Sequence, residues 1–341
     1  MTIAQHERCR VAVCIAWRSP GGRLNHLRWT RAFALLFVIS SDLHTTPAQQ
    51  TAAPIRVNVD RVNVGVIVTD SRGNFVEGLR REDFHVFDAG VEQPLTDFAA
   101  IDEPATVVLL IESGPAVLFL GQNHIRAGQI FLKDISPNDR VAIVTYSKEP
   151  RLVQEFAGKS DAWEALQRLD FMAGFGDLNL TSSLAKTIDW LTPLPGKKTI
   201  VLLSTGVDTS STPTWQDIQR KLEISDIRVL AVCLSGEFRK PAKVKNLSPQ
   251  ARSDRAFVKQ VFVEAAEELR AISQLTGGRA NFPENAKEFD RACAKIAQLI
   301  RHEYSLAFAP TSHDGLVHSI DVKANHSSYQ VDHRRAYLAP N

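Results

Sequence analysis

The chain has 341 residues, 40 Lys+Arg against 38 Asp+Glu, a hydrophobic fraction of 44% and four cysteines. That length and apolar content support two or three modest domains with buried cores, and they exclude intrinsic disorder, a collagen-like repeat and a disulfide-dense miniprotein. A formal net charge of +2 argues against a dedicated nucleic-acid binder, which carries a basic excess on one face.

The charge is unevenly spread. Through Arg31 there are six arginines (Arg8, Arg10, Arg18, Arg23, Arg28, Arg31) and one acid, Glu7, so the rest of the chain holds 34 basic and 37 acidic residues and a formal charge of −3. The basic stretch Leu27–Arg31 precedes the apolar run Ala32–Ile39 and a polar segment ending near Gln50. This three-part pattern predicts a leader over residues 1–50, either a secretory signal or a retained signal anchor, since the run is shorter than the ~20 residues of a comfortable membrane span. The expected location is therefore periplasmic, cell-envelope or secreted, with membrane association through the leader. Cys9 and Cys14 belong to it; Cys233 and Cys293 fall in an apolar strand-like run and a helix-like run and are expected to be free, buried thiols. No Cys/His spacing suggests zinc.

From 55 to 103, Ile55–Val59 and Val62–Val68 alternate apolar and polar residues, the period-two signature of strands with one buried face. Turns follow at Asp70–Asn74 and Ala89–Gly90, flanking a strand at Phe84–Asp88. Between 104 and 302 the texture changes: Thr106–Ile111, Val141–Val144, Thr199–Leu203 and Ile227–Val232 are continuous apolar runs, separated by helix-length segments near 120–135, 179–192, 213–225 and 258–275. Strands buried on both faces and alternating with helices predict an α/β doubly wound, Rossmann-like domain with a parallel sheet. The stretch from Gly236 to Arg255, rich in Arg and Lys, reads as a solvated loop or a contact loop for an acidic partner or lipid headgroups. Strand texture returns at Tyr304–Phe308, Val317–Val322 and Tyr329–Val331. Neither flanking β segment can bury a core alone, so 55–103 and 303–338 are expected to meet in one small antiparallel β unit with the α/β domain inserted between them.

In open parallel sheets ligands bind at the carboxyl ends of the strands, near the point where strand order reverses. Three loops should converge there: Glu112-Ser113-Gly114-Pro115-Ala116, Gly176-Asp177-Leu178-Asn179 and Ser204-Thr205-Gly206-Val207-Asp208. On these residues the region 104–302 resembles the von Willebrand factor A-type domain. The whole chain after the leader looks similar to the bacterial secreted group called the VWFA-related Acidobacterial domain, through Val66–Asp70, Gly73, Gly78-Leu79, Asp83-Phe84, Asp88–Gly90, Tyr304, Ala309-Pro310, Asp314-Gly315, Val322-Lys323, Arg334-Arg335 and Tyr337.

That resemblance implies a metal-ion-dependent adhesion site, in which an Asp-x-Ser-x-Ser motif, a Thr and an Asp hold one Mg²⁺ for a partner's carboxylate. Magnesium needs hard oxygen ligands in near-octahedral geometry, and this chain has replaced every one. Glu112 stands at the Asp position, Gly114 and Ala116 at the two Ser positions, Leu178 at the Thr position and Thr205 at the second Asp position. A relocated ligand set would draw on Glu112, Ser113, Asp177, Thr205 and Asp208. The simpler reading makes Glu112 and Asp208 ordinary polar residues at strand ends, with Asp208 capping the following helix or bracing its own loop.

No G-x-S-x-G elbow or H-E-x-x-H helix is present. His302, His313, His318, His326 and His333 lie in or beside the last β segment, where strand histidines are commonly exposed, and Glu267-Glu268 reads as a solvated face. The resulting expectation is a non-enzymatic, exported or envelope-associated binding module with no cofactor and a degenerate adhesion site. Its partner-binding face would comprise Glu112, Ser113, Gly114, Ala116, Asp177, Leu178, Thr205 and Asp208, and its partner would be a protein rather than nucleic acid. The alternatives are a Mg²⁺-dependent adhesin or hydrolase using relocated ligands, with Glu112, Ser113 and Asp208 as the metal set, or a structural envelope scaffold.

Overall fold

A computed structural model describes residues 61–99, 104–114, 123–169, 176–210, 212–239 and 248–341, all within one unit spanning Val57–Asn341. The predicted leader and the predicted strand at 55–59 lie outside the described residues, as does Ala116 of the predicted site.

The chain opens with β1 (Val62–Thr69), β2 (Phe84–Asp88), β3 (Val91–Gln93) and β4 (Leu95–Ala99). The α/β portion follows: β5 (Ala105–Glu112), α1 (Asn123–Asp134), β6 (Arg140–Tyr146), β7 (Pro150–Ala157), α2 (Lys159–Gln167), α3 (Leu180–Leu191) and β8 (Lys197–Ser204). It continues through α4 (Trp215–Ile224), β9 (Arg228–Cys233), α5 (Gly236–Arg239), α6 (Pro249–Leu275), β10 (Ala280–Asn281) and α7 (Ala286–Arg301). The closing strands are β11 (Glu303–Phe308), β12 (Val317–Ala324), β13 (Gln330–His333) and β14 (Ala336–Leu338).

The central sheet runs β10-β9-β8-β5-β6-β7. Its order reverses at β5, which pairs in parallel with β6 on one side and β8 on the other. Successive residues of a strand point to opposite faces, so β5 feeds two cores at once. Val107, Leu109 and Ile111 join a cluster with Phe131, Leu166 and Ile296, while Val108 and Leu110 join one with Leu184, Leu222 and Leu269. The first cluster draws α1, α2 and α7 onto one face and the second draws α3, α4 and α6 onto the other, which makes the domain doubly wound. The all-parallel expectation needs one correction: β7 is antiparallel to β6. It forms the edge, half exposed and starting at Pro150, a residue tolerated at an edge because it donates no ladder hydrogen bond.

The flanking segments meet in one β unit around a shared core, built as two four-stranded sheets, β13-β1-β11-β4 and β14-β12-β2-β3. Each sheet interleaves strands from both ends of the described chain, with Val66 paired to Tyr304 across β1 and β11 and Val86 to Val322 across β2 and β12. Val62, Val64, Val66 and Val68 of β1 fill the sandwich core, and Ile67, pointing the other way, joins the cluster that contains Phe289 and Ile300. Thus β1 is sheet in one layer and floor for the next.

The predicted loop over 236–255 is replaced at both ends by helix. α5 occupies 236–239, and α6 starts at Pro249 behind Ser248, whose side chain accepts from the Ala251 N–H. Proline at the first helical position and serine before it are start signals. The Arg239 guanidinium lies over the Phe282 ring, 5.5 Å from its centre, so it is not a loose charge on a contact loop. Cys233 and Cys293 are free, and they sit in clusters on opposite faces of the sheet. Among the described residues no helix is long and apolar enough to cross a membrane.

Candidate functional site

The carboxyl ends of β5 and β8 meet where strand order reverses, and Glu112 and Thr205 meet with them. Glu112 is fully buried and every contact of its carboxyl group is made inside the protein. Oε2 accepts from the Thr205 main-chain N–H (2.7 Å), from the Ser204 hydroxyl (3.0 Å) and from the Tyr146 hydroxyl (3.3 Å). The Thr205 hydroxyl lies 3.0 Å from Oε1 and 2.9 Å from Oε2. Ser204 is itself tied to Tyr146 (2.7 Å) and accepts from the Gly206 N–H (2.8 Å). Burial pushes the Glu112 carboxyl above its ordinary range, against the downward pull of the donors from Thr205, Ser204 and Tyr146. Burial and the adjacent Glu112 likewise keep the Tyr146 hydroxyl protonated. The expectation of an ordinary polar strand end is therefore corrected: Glu112 is the centre of a closed polar network, the usual condition for tolerating a buried carboxyl.

Leu178 is buried beside Gly114. A Cβ on Gly114 would come within 2.4 Å of the Leu178 side chain, so glycine here and leucine there are one fit. The loop carrying Leu178 is pinned from the other side by Thr209, whose hydroxyl accepts from the Leu178 N–H (2.8 Å) and whose N–H donates to the Leu178 carbonyl (2.8 Å). Ser113 donates both its N–H (2.7 Å) and its hydroxyl (2.9 Å) to the Tyr146 carbonyl.

Asp208 does not cap the helix after it; Thr214 does, in a capping box with Asp217. Instead Asp208 reaches back to the start of α3, accepting from the Thr181 N–H and hydroxyl (both 2.8 Å), and braces its own loop through the Ser210 N–H (2.7 Å). Asp177 is exposed. Gly206 adopts φ of +84°, and a Cβ there would lie 2.4 Å from the Ala265 carbonyl, so this loop rests directly on α6. That contact brings Glu268 toward Asp208: burial, then the charges of Asp208 and Glu264, raise the Glu268 carboxyl. Glu267 and Glu268 are both exposed, as expected of a solvated face.

The three loops converge, but their oxygen atoms do not form a cage. Of the relocated set, Glu112 and Thr205 satisfy each other, Ser113 is spent on a carbonyl and Asp208 on α3. Among the described residues no group of three or more His, Cys, Asp or Glu could hold a metal ion. The donors around Glu112 are hydroxyls and an N–H turned toward a carboxyl group, and Leu178 lines the place beside Gly114 with hydrocarbon. This donor set does not fit a hard divalent cation. Tyr146, Thr181 and Thr209 complete the arrangement from outside the three loops named from the sequence. Tyr146 had a usable signal, since it ends the β6 apolar run just as Glu112 ends that of β5.

No known family profile matches the chain, and no curated protein does. Solved structures similar to it include proximal thread matrix protein 1 from the mussel byssus (TM-score 0.42, 12% identity, 60% of this chain and 49% of that one). They also include a von Willebrand factor type A protein from Catenulispora acidiphila (0.43, 11%, 84% and 76%) and the conserved hypothetical protein BatB from Bacteroides thetaiotaomicron (0.38, 12%, 57% and 97%). The chain spans about half the length of the mussel protein. The fold itself is read from strand order and register: an α/β doubly wound domain inserted into an antiparallel β-sandwich.

Proposed function

We propose that this chain is a non-enzymatic, exported or envelope-associated binding module whose strand-end face engages a protein partner without a divalent cation. The observation that carries this reading is the Glu112 network. Where the resembling family would place a metal, the buried Glu112 carboxyl group and the donors of Thr205, Ser204 and Tyr146 hold β5, β6 and β8 together. The face is left with Asp177 on its exposed rim and a hydrocarbon floor at Leu178. The leader pattern supports export.

Thermal unfolding with Mg²⁺, Mn²⁺ or chelator tests the metal-independent part. A cation at a hundredfold its Kd would add about 2.7 kcal/mol, several degrees of Tm, so the expected result is no shift. A Mg²⁺- or Mn²⁺-dependent rise in Tm that Glu112→Ala abolishes would overturn the reading. For the partner, capture from envelope extract should persist with chelator and weaken with Asp177→Arg, whose Tm should match that of the unaltered protein.

A further inference from the structure

A second concave site lies away from the strand-end face, where α4, the last turn of α6 and the residues after β13 come together. It is a cleft of about 540 Å³, inside the range of ~300–1,000 Å³ usual for small-ligand sites. Its lining includes Trp215, Gln219, Gln274, Leu275, Asp332 and Arg335. Trp215 is the first residue of α4, fixed by the Thr214/Asp217 capping box, and its half-buried ring packs on the core cluster that contains Leu222.

The polar groups of this cleft are arranged for an anion. The carboxylate of Asp332 is taken by Arg279, whose Nε donates to it at 2.7 Å. Arg335 is exposed, and among the described residues its guanidinium has no hydrogen-bond or ion-pair partner; neither does the Gln274 carboxamide or the Trp215 indole N–H. Gln219 uses its amide N–H on Glu223 (3.1 Å) and keeps its carbonyl oxygen. The cleft therefore offers one uncompensated guanidinium, two carboxamides and a flat indole.

A guanidinium pairs with a carboxylate through two parallel hydrogen bonds. Carboxamides present donor and acceptor together, which suits adjacent hydroxyl groups, and an indole combines a flat apolar face with a polar N–H. A pyranose bearing a carboxylate has all three complementary features. A peptide strand would need a free sheet edge, yet the main chain here is occupied: the Arg334 carbonyl accepts from His333 Nδ1 (2.7 Å) and the Arg335 carbonyl from the Ile320 N–H (2.7 Å).

We propose that this cleft binds a hexuronate unit of an acidic polysaccharide, with Arg335 on the carboxylate, Trp215 under the ring and Gln219 and Gln274 on the hydroxyls. The site is independent of the strand-end face, so its test is separate. Titration of the full chain with tri-galacturonate, followed by calorimetry and tryptophan fluorescence, should give saturable binding at millimolar ligand or below that weakens as salt is raised. Arg335→Gln should weaken it by at least about tenfold and Gln274→Ala by several-fold; both positions are exposed, and an unchanged Tm shows that each variant is folded. Maltotriose, the uncharged comparison, should bind at least about tenfold more weakly. The proposal is overturned if tri-galacturonate does not bind at millimolar concentration, if maltotriose binds equally well, if both variants bind like the original, or if a glutamate-rich peptide is preferred.

Discussion

Two buried side chains titrate in opposite senses, and each makes a measurable demand on stability. Glu112, with its carboxyl raised by burial, is protonated more readily folded than unfolded. Its contribution is complete below the ordinary carboxyl range near pH 4.5 and declines as pH rises toward the folded-state value. Glu112→Gln keeps an acceptor for Thr205 and Ser204 and removes that decline, so at pH 7–8 its Tm is expected to equal or exceed that of the original. Glu112→Ala, by contrast, leaves buried donors unpaired at ~1–3 kcal/mol each and should lower Tm by several degrees. A Glu112→Gln variant as unstable as Glu112→Ala would mean that the ionised carboxylate is required.

His333 is the reverse case, and it is buried rather than an exposed strand histidine. Its Nδ1 donates to the Arg334 carbonyl (2.7 Å) and its Nε2 accepts from the Val322 N–H (3.2 Å), an arrangement that suits the neutral ring. Burial lowers its pKa from 6.5, so the unfolded chain takes up the proton first. Stability from this residue is present above pH 6.5 and is lost as pH falls toward the folded-state value. The difference in Tm between the original and His333→Gln should therefore shrink from pH 7.5 to pH 5.5. An unchanged difference would show that the ring is not held neutral.

At the scale of elements, the loop between β8 and α4 is fixed by backbone shape as much as by side chains. Gly206→Ala would force a side chain into a left-handed conformation and against the Ala265 carbonyl, at a cost of about 1–3 kcal/mol, read as a lower denaturant midpoint with an unchanged slope. No change would mean that the loop does not rest on α6.

The same scale explains what could be read from the sequence. β5, β6, β8 and β9 were legible because strands covered on both faces become unbroken apolar runs. β7 was not, since Pro-Arg-Leu-Val-Gln-Glu-Phe-Ala is the mixed composition of a half-exposed edge. The first half of α6 is largely exposed, with Phe257 71% accessible, so no apolar stripe separated it from a loop; only Ser248-Pro249 marked its start. The strand-end loops were located correctly, but the burial of Glu112 was not visible. Which way a strand-end side chain turns depends on Ser204 and Thr205, more than ninety residues further along.

For the whole molecule, three arginines join the α/β domain to the sandwich. Arg228 of β9 donates to the Gly65 carbonyl (2.8 Å), to Glu303 (3.2 Å) and to the Gly277 carbonyl. Arg334 donates to the Asn63 carbonyl (2.6 Å) and to the Ile224 carbonyl (3.4 Å), and burial lowers its pKa to about 10, leaving it charged at neutral pH. Arg279 joins Asp332 and the Thr69 hydroxyl. Buried guanidiniums are costly unless paired, so separating the two parts would strand these charges. Calorimetry is expected to show one cooperative transition, and two resolved transitions would contradict this. Glu303→Ala, which leaves Arg228 buried without its counter-ion, should cost ~3–5 kcal/mol and shift that single transition downward as a whole.

The interleaved sandwich also sets an order of events in time. Tyr304 both donates to the Val76 carbonyl and accepts from the Leu79 N–H, and Leu79 precedes it by 225 residues. At the ~5–20 residues per second of protein synthesis, β1 to β4 leave the ribosome roughly ten to forty-five seconds before β11 can pair with them. Throughout that interval β1 and β4 lack their shared partner β11, and the β2–β3 hairpin lacks β12. A chain built this way cannot complete its first strands first, and a holdase that shields them until the last forty residues arrive would raise the yield of folded protein far more than one that acts on the finished chain.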